Sequence, residues 1–253
     1  MRLKNIPGSR EEIAKSKYAI KEETPEDELR GRDWAVKGNW AHIFGNKNPV
    51  RTEIGMGKGL FLTEQARLNP DVNFVGIEKY SSVLLRAVQK QEADPLPNIR
   101  FIRMEAKYIE NVFAPDETEC IYLNFSDPWP KKKNAKRRLT SRRFLDRYLN
   151  ILPAGGFVEF KTDNIPLFDF SLAELWQSGA VFSQDALSGA CPLPDEFSYP
   201  QAPGLREESW RVLAATRDLH NSPLNEGNVM TEYEIRFSEA GSKICKYIIE
   251  KIH

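Results

Sequence analysis

Residues 50–60 read Val50-Arg-Thr-Glu53-Ile-Gly55-Met-Gly57-Lys58-Gly59-Leu60. A short β-branched run carries an acid, three glycines follow at alternate positions, and a helical pattern opens at Leu60. Glycines in such a turn let the chain reverse sharply and let a ligand come close to the backbone. Spacing rules out one phosphate-binding loop and weighs against another. A Walker A loop needs Lys followed by Ser or Thr, whereas Lys58 is followed by Gly59. A dinucleotide loop wants GxGxxG, and the spacing here is GxGxG. A tight strand-to-helix turn that binds nothing is the plain alternative.

Outward from this turn the chain alternates strands with helices. Val50–Ile54, Asn73–Ile77, Ile99–Arg103, Cys120–Phe125 and Phe157–Lys161 have strand patterns, and Leu60–Leu68, Ser81–Glu92, Ser141–Leu152 and Pro166–Ser178 have helical ones. That rhythm implies right-handed βαβ units, hence a doubly wound α/β domain with a mainly parallel sheet. Turn formers break the rhythm at about 183–208, as in Cys191-Pro-Leu-Pro, which predicts a long loop or insertion. A strand at Trp210–Leu219, a helix at Met230–Glu239 ended by Gly241, and a last strand at Ile244–Ile249 close the domain. Residues 1–33, dense in charge, read as an arm, and 34–253 as one domain.

Composition sets limits on function. The 253 residues are 41% hydrophobic and 28% charged, which is ordinary for a globular chain. No apolar run approaches the roughly 18 residues of a membrane helix, and the first thirty residues hold no secretory core. A cytoplasmic protein without a membrane partner is expected. The 36 basic residues balance 36 acidic ones, which argues against indiscriminate nucleic-acid binding but leaves room for a local patch. Cys120, Cys191, Cys245, His42, His220 and His253 are scattered, without metal-ligand spacing or a nucleophile signature, so no metal is expected.

Three acids stand at strand ends, where open α/β sheets bind ligands. Glu53 precedes the glycines. Glu78 ends the next strand and is placed to accept hydrogen bonds from two ribose hydroxyls. Glu105 ends the third, where an adenine amino group would sit. After the fourth strand comes Asn124-Phe-Ser-Asp127-Pro-Trp129-Pro-Lys131-Lys-Lys133-Asn-Ala-Lys136-Arg137-Arg138. Prolines stiffen the loop around Asp127 and Trp129. From Lys131 to Arg143 there are eight basic residues and no acid, a local electrostatic footprint beside an aromatic ring that could stack on a base.

The glycine turn resembles motif I of class I S-adenosylmethionine-dependent methyltransferases, and most of the chain from about Trp40 onward resembles the bacterial tRNA (guanine-N7)-methyltransferases. The matching stretches are Glu53–Gly59, Gly76-Ile-Glu78, Tyr122–Phe144, Phe160-Lys-Thr-Asp163-Asn, and Asn228–Glu234. The resemblance implies a Rossmann-like class I methyltransferase fold with an antiparallel C-terminal strand. It implies S-adenosylmethionine as methyl donor and the variable-loop guanine of tRNA, conventionally position 46, as target. By the same resemblance Glu53, Gly55, Gly57, Glu78 and Glu105 would bind the donor. Asp127 would be the active-site acid next to it. Lys131, Asp163, Thr231, Glu232, Tyr233 and Glu234 would bind substrate, and Lys133, Lys136, Arg137 and Arg138 would contact RNA. Two departures stand out: the family usually has Asp where this chain has Glu105, and the stretch from Trp176 to Asp218 is longer than the family pattern.

The chemistry fits the absence of a catalytic histidine or cysteine. Guanine N7 carries an in-plane lone pair and no proton, so attack on a sulfonium methyl is a positioning task. A carboxylate facing the guanine N1–H and N2–H2 donors would select guanine and favour the cationic product. Asp127 and Asp163 are the candidates, one or both. Thr231 and Glu234 read equally as a helix cap with a first-turn acid. Other classes stay open at this point: an amino-group methyltransferase, since Asp-Pro-Trp loosely resembles the Asp/Asn-Pro-Pro-aromatic loops of those enzymes, a non-catalytic tRNA-binding protein, and, most weakly, a nicotinamide-dependent dehydrogenase. The chain would be a monomer or a homodimer.

Overall fold

The structure, a computed structural model, describes residues 5–21, 32–182 and 210–253. The loop expected at 183–208 and the acidic cluster Glu22–Glu28 lie outside the described residues. The chain divides into two compact units, Met1–Ile121 and Tyr122–His253.

The first unit holds α1 (Ser9–Lys15), α2 (Trp40–Phe44), β1 (Val50–Ile54), α3 (Leu60–Leu68), β2 (Asn73–Glu78), α4 (Ser81–Ala93) and β3 (Ile99–Arg103). Its strands pair in parallel in the order β3-β2-β1, with Glu53 opposite Gly76 and Glu78 opposite Arg103. Every residue of β2 is buried, as an inner parallel strand covered on both faces requires. α4 buries Val83, Leu84, Leu85, Ala87 and Val88, a stripe at helical spacing. Residues 5–21 belong to the charged arm, yet Ile13, Tyr18 and Ala19 are buried. The Phe101 N–H of β3 donates to Tyr18 O at 2.8 Å and its carbonyl accepts from Ile20 N at 2.8 Å. Ser9 Oγ bonds Ser81 Oγ at 2.8 Å.

The second unit takes in β5 (Phe157–Thr162), β6 (Val181–Phe182), β7 (Trp210–Thr216) and β8 (Cys245–Lys251), with α5 (Arg142–Leu149), α6 (Ile165–Gln177) and α7 (Glu232–Glu239). The division between units falls within β4 (Cys120–Asn124). Here the order is β4-β5-β8-β7-β6, and β8 runs antiparallel to both β5 and β7. α6 starts where Asn164 Oδ1 accepts from Leu167 N at 2.8 Å, with a proline in its first turn, both favoured helix-start features. α7 starts at Thr231, whose Oγ1 accepts from Glu234 N at 2.9 Å. No described helix is long and apolar enough to cross a membrane. The strands and helices expected from the sequence pattern are all present, in a mixed α/β arrangement with an antiparallel last strand, while α1, α2 and β6 were not expected from it.

Gly76 in the middle of β2 is where the glycine turn closes down. A Cβ there would overlap Met56 Sδ and lie 2.7 Å from Leu62 Cδ2, and both side chains are buried. Gly76→Ala should therefore cost about 1–3 kcal/mol, the usual range for overpacking a core. Urea denaturation measures it, and an unchanged midpoint would refute the close approach.

Candidate functional site

In the first unit the glycine turn is built as the spacing predicts. Gly55, Gly57 and Gly59 all have positive φ (77°, 59° and 76°), and no atom lies within 4 Å of where a Cβ would stand on Gly55 or Gly57. The Gly55 and Met56 N–H groups donate to Ile77 O, which lashes the turn to β2. Glu78 at the end of β2 is 7% exposed. Its Oε2 accepts from Gly57 N at 3.1 Å and its Oε1 from Tyr80 N at 2.8 Å, so backbone amides fix the carboxylate beside the glycines. Glu53 is 2% exposed, and a carboxylate so buried is costly unless donors meet it. Turn and acids suit a donor that brings hydroxyl and ammonium groups.

Glu105 departs from the simple expectation. Lys79 and Lys107 reach its two oxygens at 2.8 and 2.9 Å. Their hydrogen bonds hold the Glu105 carboxyl below its ordinary value. An adenine amino group would have to share an oxygen with a lysine or displace one. Half-exposed pairs of this kind contribute only about 0–1 kcal/mol.

In the second unit strain gathers around Asp127. Of the three described non-glycine residues with positive φ, two are Phe125 (52°) and Trp129 (41°), each two positions from Asp127. Such backbone costs roughly 1–3 kcal/mol per residue and persists only where surroundings over-determine it. Phe125 is pinned by its N–H, which donates to Lys161 O at 2.9 Å. Trp129 is pinned by Arg138, whose Nε and Nη2 donate to Pro128 O at 2.9 Å and Trp129 O at 3.1 Å. Asp127 itself is exposed.

The basic run forms a 3₁₀ turn at Lys132–Arg137. Lys131, Lys132, Lys133, Lys136 and Arg137 are exposed, as an RNA-contacting segment requires. Arg137 lies over the Trp129 ring at 4.9 Å and thereby covers one face of the ring read as a stacking partner. Arg138 does not join the exposed group: it braces the Asp127 loop and lies over Phe170 at 4.2 Å.

The Thr231–Glu234 loop splits in two. Thr231 caps α7, but Glu234 does not complete a capping box. Instead its Oε2 meets Lys161 Nζ at 2.6 Å, and its Oε1 meets Asn228 Nδ2 at 2.7 Å and His220 Nε2 at 3.0 Å. Glu234 is 0% and Lys161 3% exposed. Burial pushes the Glu234 carboxyl up, but the Lys161 charge and the three hydrogen bonds outweigh burial and hold it below the ordinary value. Burial holds the Lys161 ammonium below its own ordinary value. Glu232 and Tyr233 are exposed. The Tyr233 ring joins Phe125 and Phe237 in a cluster with centroids 6.1–6.5 Å apart and planes 15–19° from parallel. Asp163 lies two residues past Lys161, immediately before the cap of α6.

Lys161, Asn228 and His220 were not singled out by sequence reasoning. The signal was present: a lysine flanked by Phe160 and Thr162 inside a strand pattern needs buried acceptors, and Glu234 is one of those supplied.

Residues 47–186 match a family model described as "Putative methyltransferase". The chain is 46% identical over 98% of its length to a tRNA (guanine-N(7)-)-methyltransferase of Lachnoclostridium phytofermentans, covering 97% of that protein. A protein of the same description from Geobacillus sp. (strain WCH70) is 43% identical over 97% of this chain and 94% of its own. One from Bacillus subtilis is 40% identical over 85% and 86%. Among solved structures, the 16S rRNA methyltransferase KamB superposes with a TM-score of 0.55 at 15% identity, covering 85% of this chain and 93% of that one. The last likeness bears on the fold alone.

The depressed Glu234 carboxyl gives a pH prediction. Its stabilising contribution is fully present above the ordinary value of 4.5 and is lost as pH falls through the lower folded value. The gap in urea-denaturation stability between wild type and Glu234→Gln should stay constant near neutrality and narrow only below 4.5. A gap already closing between about pH 7 and 6 would contradict this linkage.

Proposed function

The chain belongs to the tRNA (guanine-N7)-methyltransferase family, and from that premise we propose that it transfers a methyl group from S-adenosylmethionine to N7 of the variable-loop guanine of tRNA. The observation that carries the residue assignment is Asp127, exposed between two strained residues and followed by five exposed cations. When bound, S-adenosylmethionine supplies an electrophilic methyl on a sulfonium sulfur. Glu53, Glu78 and the Gly55–Gly57 turn would hold it, and Glu105 would meet its adenine amino group by sharing an oxygen with Lys79 or Lys107 or by displacing one of them. Next to Asp127 the Ser126 hydroxyl oxygen is buried without a hydrogen-bond partner, which costs about 1–3 kcal/mol unless a bound molecule completes it.

On the acceptor side, Asp127 and Asp163 supply carboxylates for the guanine N1–H and N2–H2 donors. Adenine lacks that donor pair, and the developing purine cation is favoured by nearby negative charge. Thr231, Glu232 and Tyr233 stand at the start of α7 as further substrate contacts, with Glu234 buried behind them. Lys131, Lys133, Lys136 and Arg137 take phosphates. The N7 lone pair is nucleophilic as it stands, so the reaction asks for alignment and calls for neither a general base nor a metal.

Methyl transfer from labelled S-adenosylmethionine to unmodified tRNA, followed by nucleoside identification, tests this reading. It requires 7-methylguanosine from the variable loop, and methyl on an exocyclic amino group, or on no nucleoside, would overturn it. Asp127→Ala should lower the transfer rate by roughly 10²–10³ or more, the scale for losing one aligned electrostatic group, and near-wild-type activity would remove Asp127 from the mechanism. If about five phosphates are contacted, log K for tRNA should fall by roughly 3 to 4 per decade of salt. Lys133→Ala/Lys136→Ala should reduce that slope by about 1 to 2. Arg138→Ala should leave it unchanged and slow transfer instead. Equal effects of both changes on the slope would contradict the inward role of Arg138.

A further inference from the structure

Among the described residues, Lys161 bonds both the Asp127 loop and the segment that leads into α7. Its ammonium donates to Asn228 Oδ1 at 3.1 Å, Val229 O at 2.9 Å and Glu234 Oε2 at 2.6 Å. A lysine has three N–H donors, so this accounts for all of them. Its backbone carbonyl accepts the N–H of strained Phe125, two residues before Asp127. Asp163 follows it by two residues along the chain. Tyr233, 58% exposed, is the neighbour of Glu234 and packs on Phe125.

We propose that Lys161 is a positioning residue for methyl transfer, and that Glu234 acts through Lys161 and does not touch the guanine. Both oxygens of Glu234 are engaged inside the protein and the residue is fully buried. A base could reach that carboxylate only by breaking a buried ion pair, and separating such a pair leaves an uncompensated buried charge. The pair holds the start of α7 with Tyr233 through the Lys161–Glu234 bond and the loop at Asn228–Val229 by three more, while the backbone carbonyl of Lys161 holds Phe125 and the Asp127 loop by one. The positional accuracy that in-line transfer demands thus rests on a residue set back from the reacting atoms.

The inference rests on the proposed acceptor, so formation of 7-methylguanosine by the wild-type enzyme comes first, and its failure would sink that reading separately. The test is a cycle on the full chain: wild type and Glu234→Gln, each with tRNA carrying guanosine or inosine at the target position. Inosine lacks the N2 amino group. A positioning role predicts that Glu234→Gln lowers kcat about tenfold on both substrates, with KM for tRNA and donor affinity within about twofold. A loss that shrinks more than about threefold on inosine would mean direct contact with the amino group and overturn the proposal. Unchanged kcat on both substrates would make the pair merely structural and overturn it equally. Lys161→Met supplies a second reading. It leaves Glu234 buried without its counter-charge, so adding Glu234→Gln to it should recover stability and at least about tenfold in rate. A double variant that melts like wild type yet transfers no faster than Lys161→Met would also overturn the proposal.

Discussion

A buried ammonium inside a sheet must find acceptors for its three N–H groups, and for Lys161 one of them is the Glu234 carboxylate, a pairing that organises the second unit. Taking two ions out of water costs several kcal/mol each, repaid only when the geometry is good and the remaining donors and acceptors are filled. Lys161 and Glu234 meet those conditions, with Asn228, Val229 and His220 completing the set. The consequence is positional. α7 must begin where Glu234 can reach β5, and that places Thr231 as a cap and leaves the Tyr233 ring outside. A network in which every partner is satisfied is rigid, and removing one member strands the rest.

The first unit is governed by a different constraint, close approach. Gly76 lets Met56 and Leu62 settle on β2, and the glycine turn that results brings a backbone N–H onto Glu78. The glycine turn, Glu53, Glu78 and Glu105 lie in this unit, whereas Asp127, Asp163 and the basic turn belong to the other.

Much of this was legible in the chain. Strands and helices follow from apolar runs and turn chemistry, and the glycine turn, the three strand-end acids and the basic run were each visible as residue types at a spacing. Three features were not. Arg138 looks like any other cation in a basic run, and only the carbonyls of Pro128 and Trp129 show that it faces inward. Residues 5–21 carry so many charges that Ile13 stands without a clear amphipathic stripe, and the segment is held by Ser81, Ser82 and Phe101, remote in sequence. Glu234 fits the S/T-x-x-E capping pattern, and local chemistry cannot tell that a lysine 73 residues away claims its side chain. In each case a long-range partner overrides a correct local rule.

What unites these observations is catalysis by placement. Strain around Asp127, the Arg138 brace and the Lys161 ion pair all hold groups still, and none is arranged to take a proton from a nucleophile that has none to give. The most direct test is the single-turnover rate of methyl transfer with saturating tRNA and donor as a function of pH. Placement without proton transfer predicts a rate constant flat to within about twofold from roughly pH 6 to 8.5. A rate rising about tenfold per pH unit through an inflection in that range would reveal a required base and contradict the account.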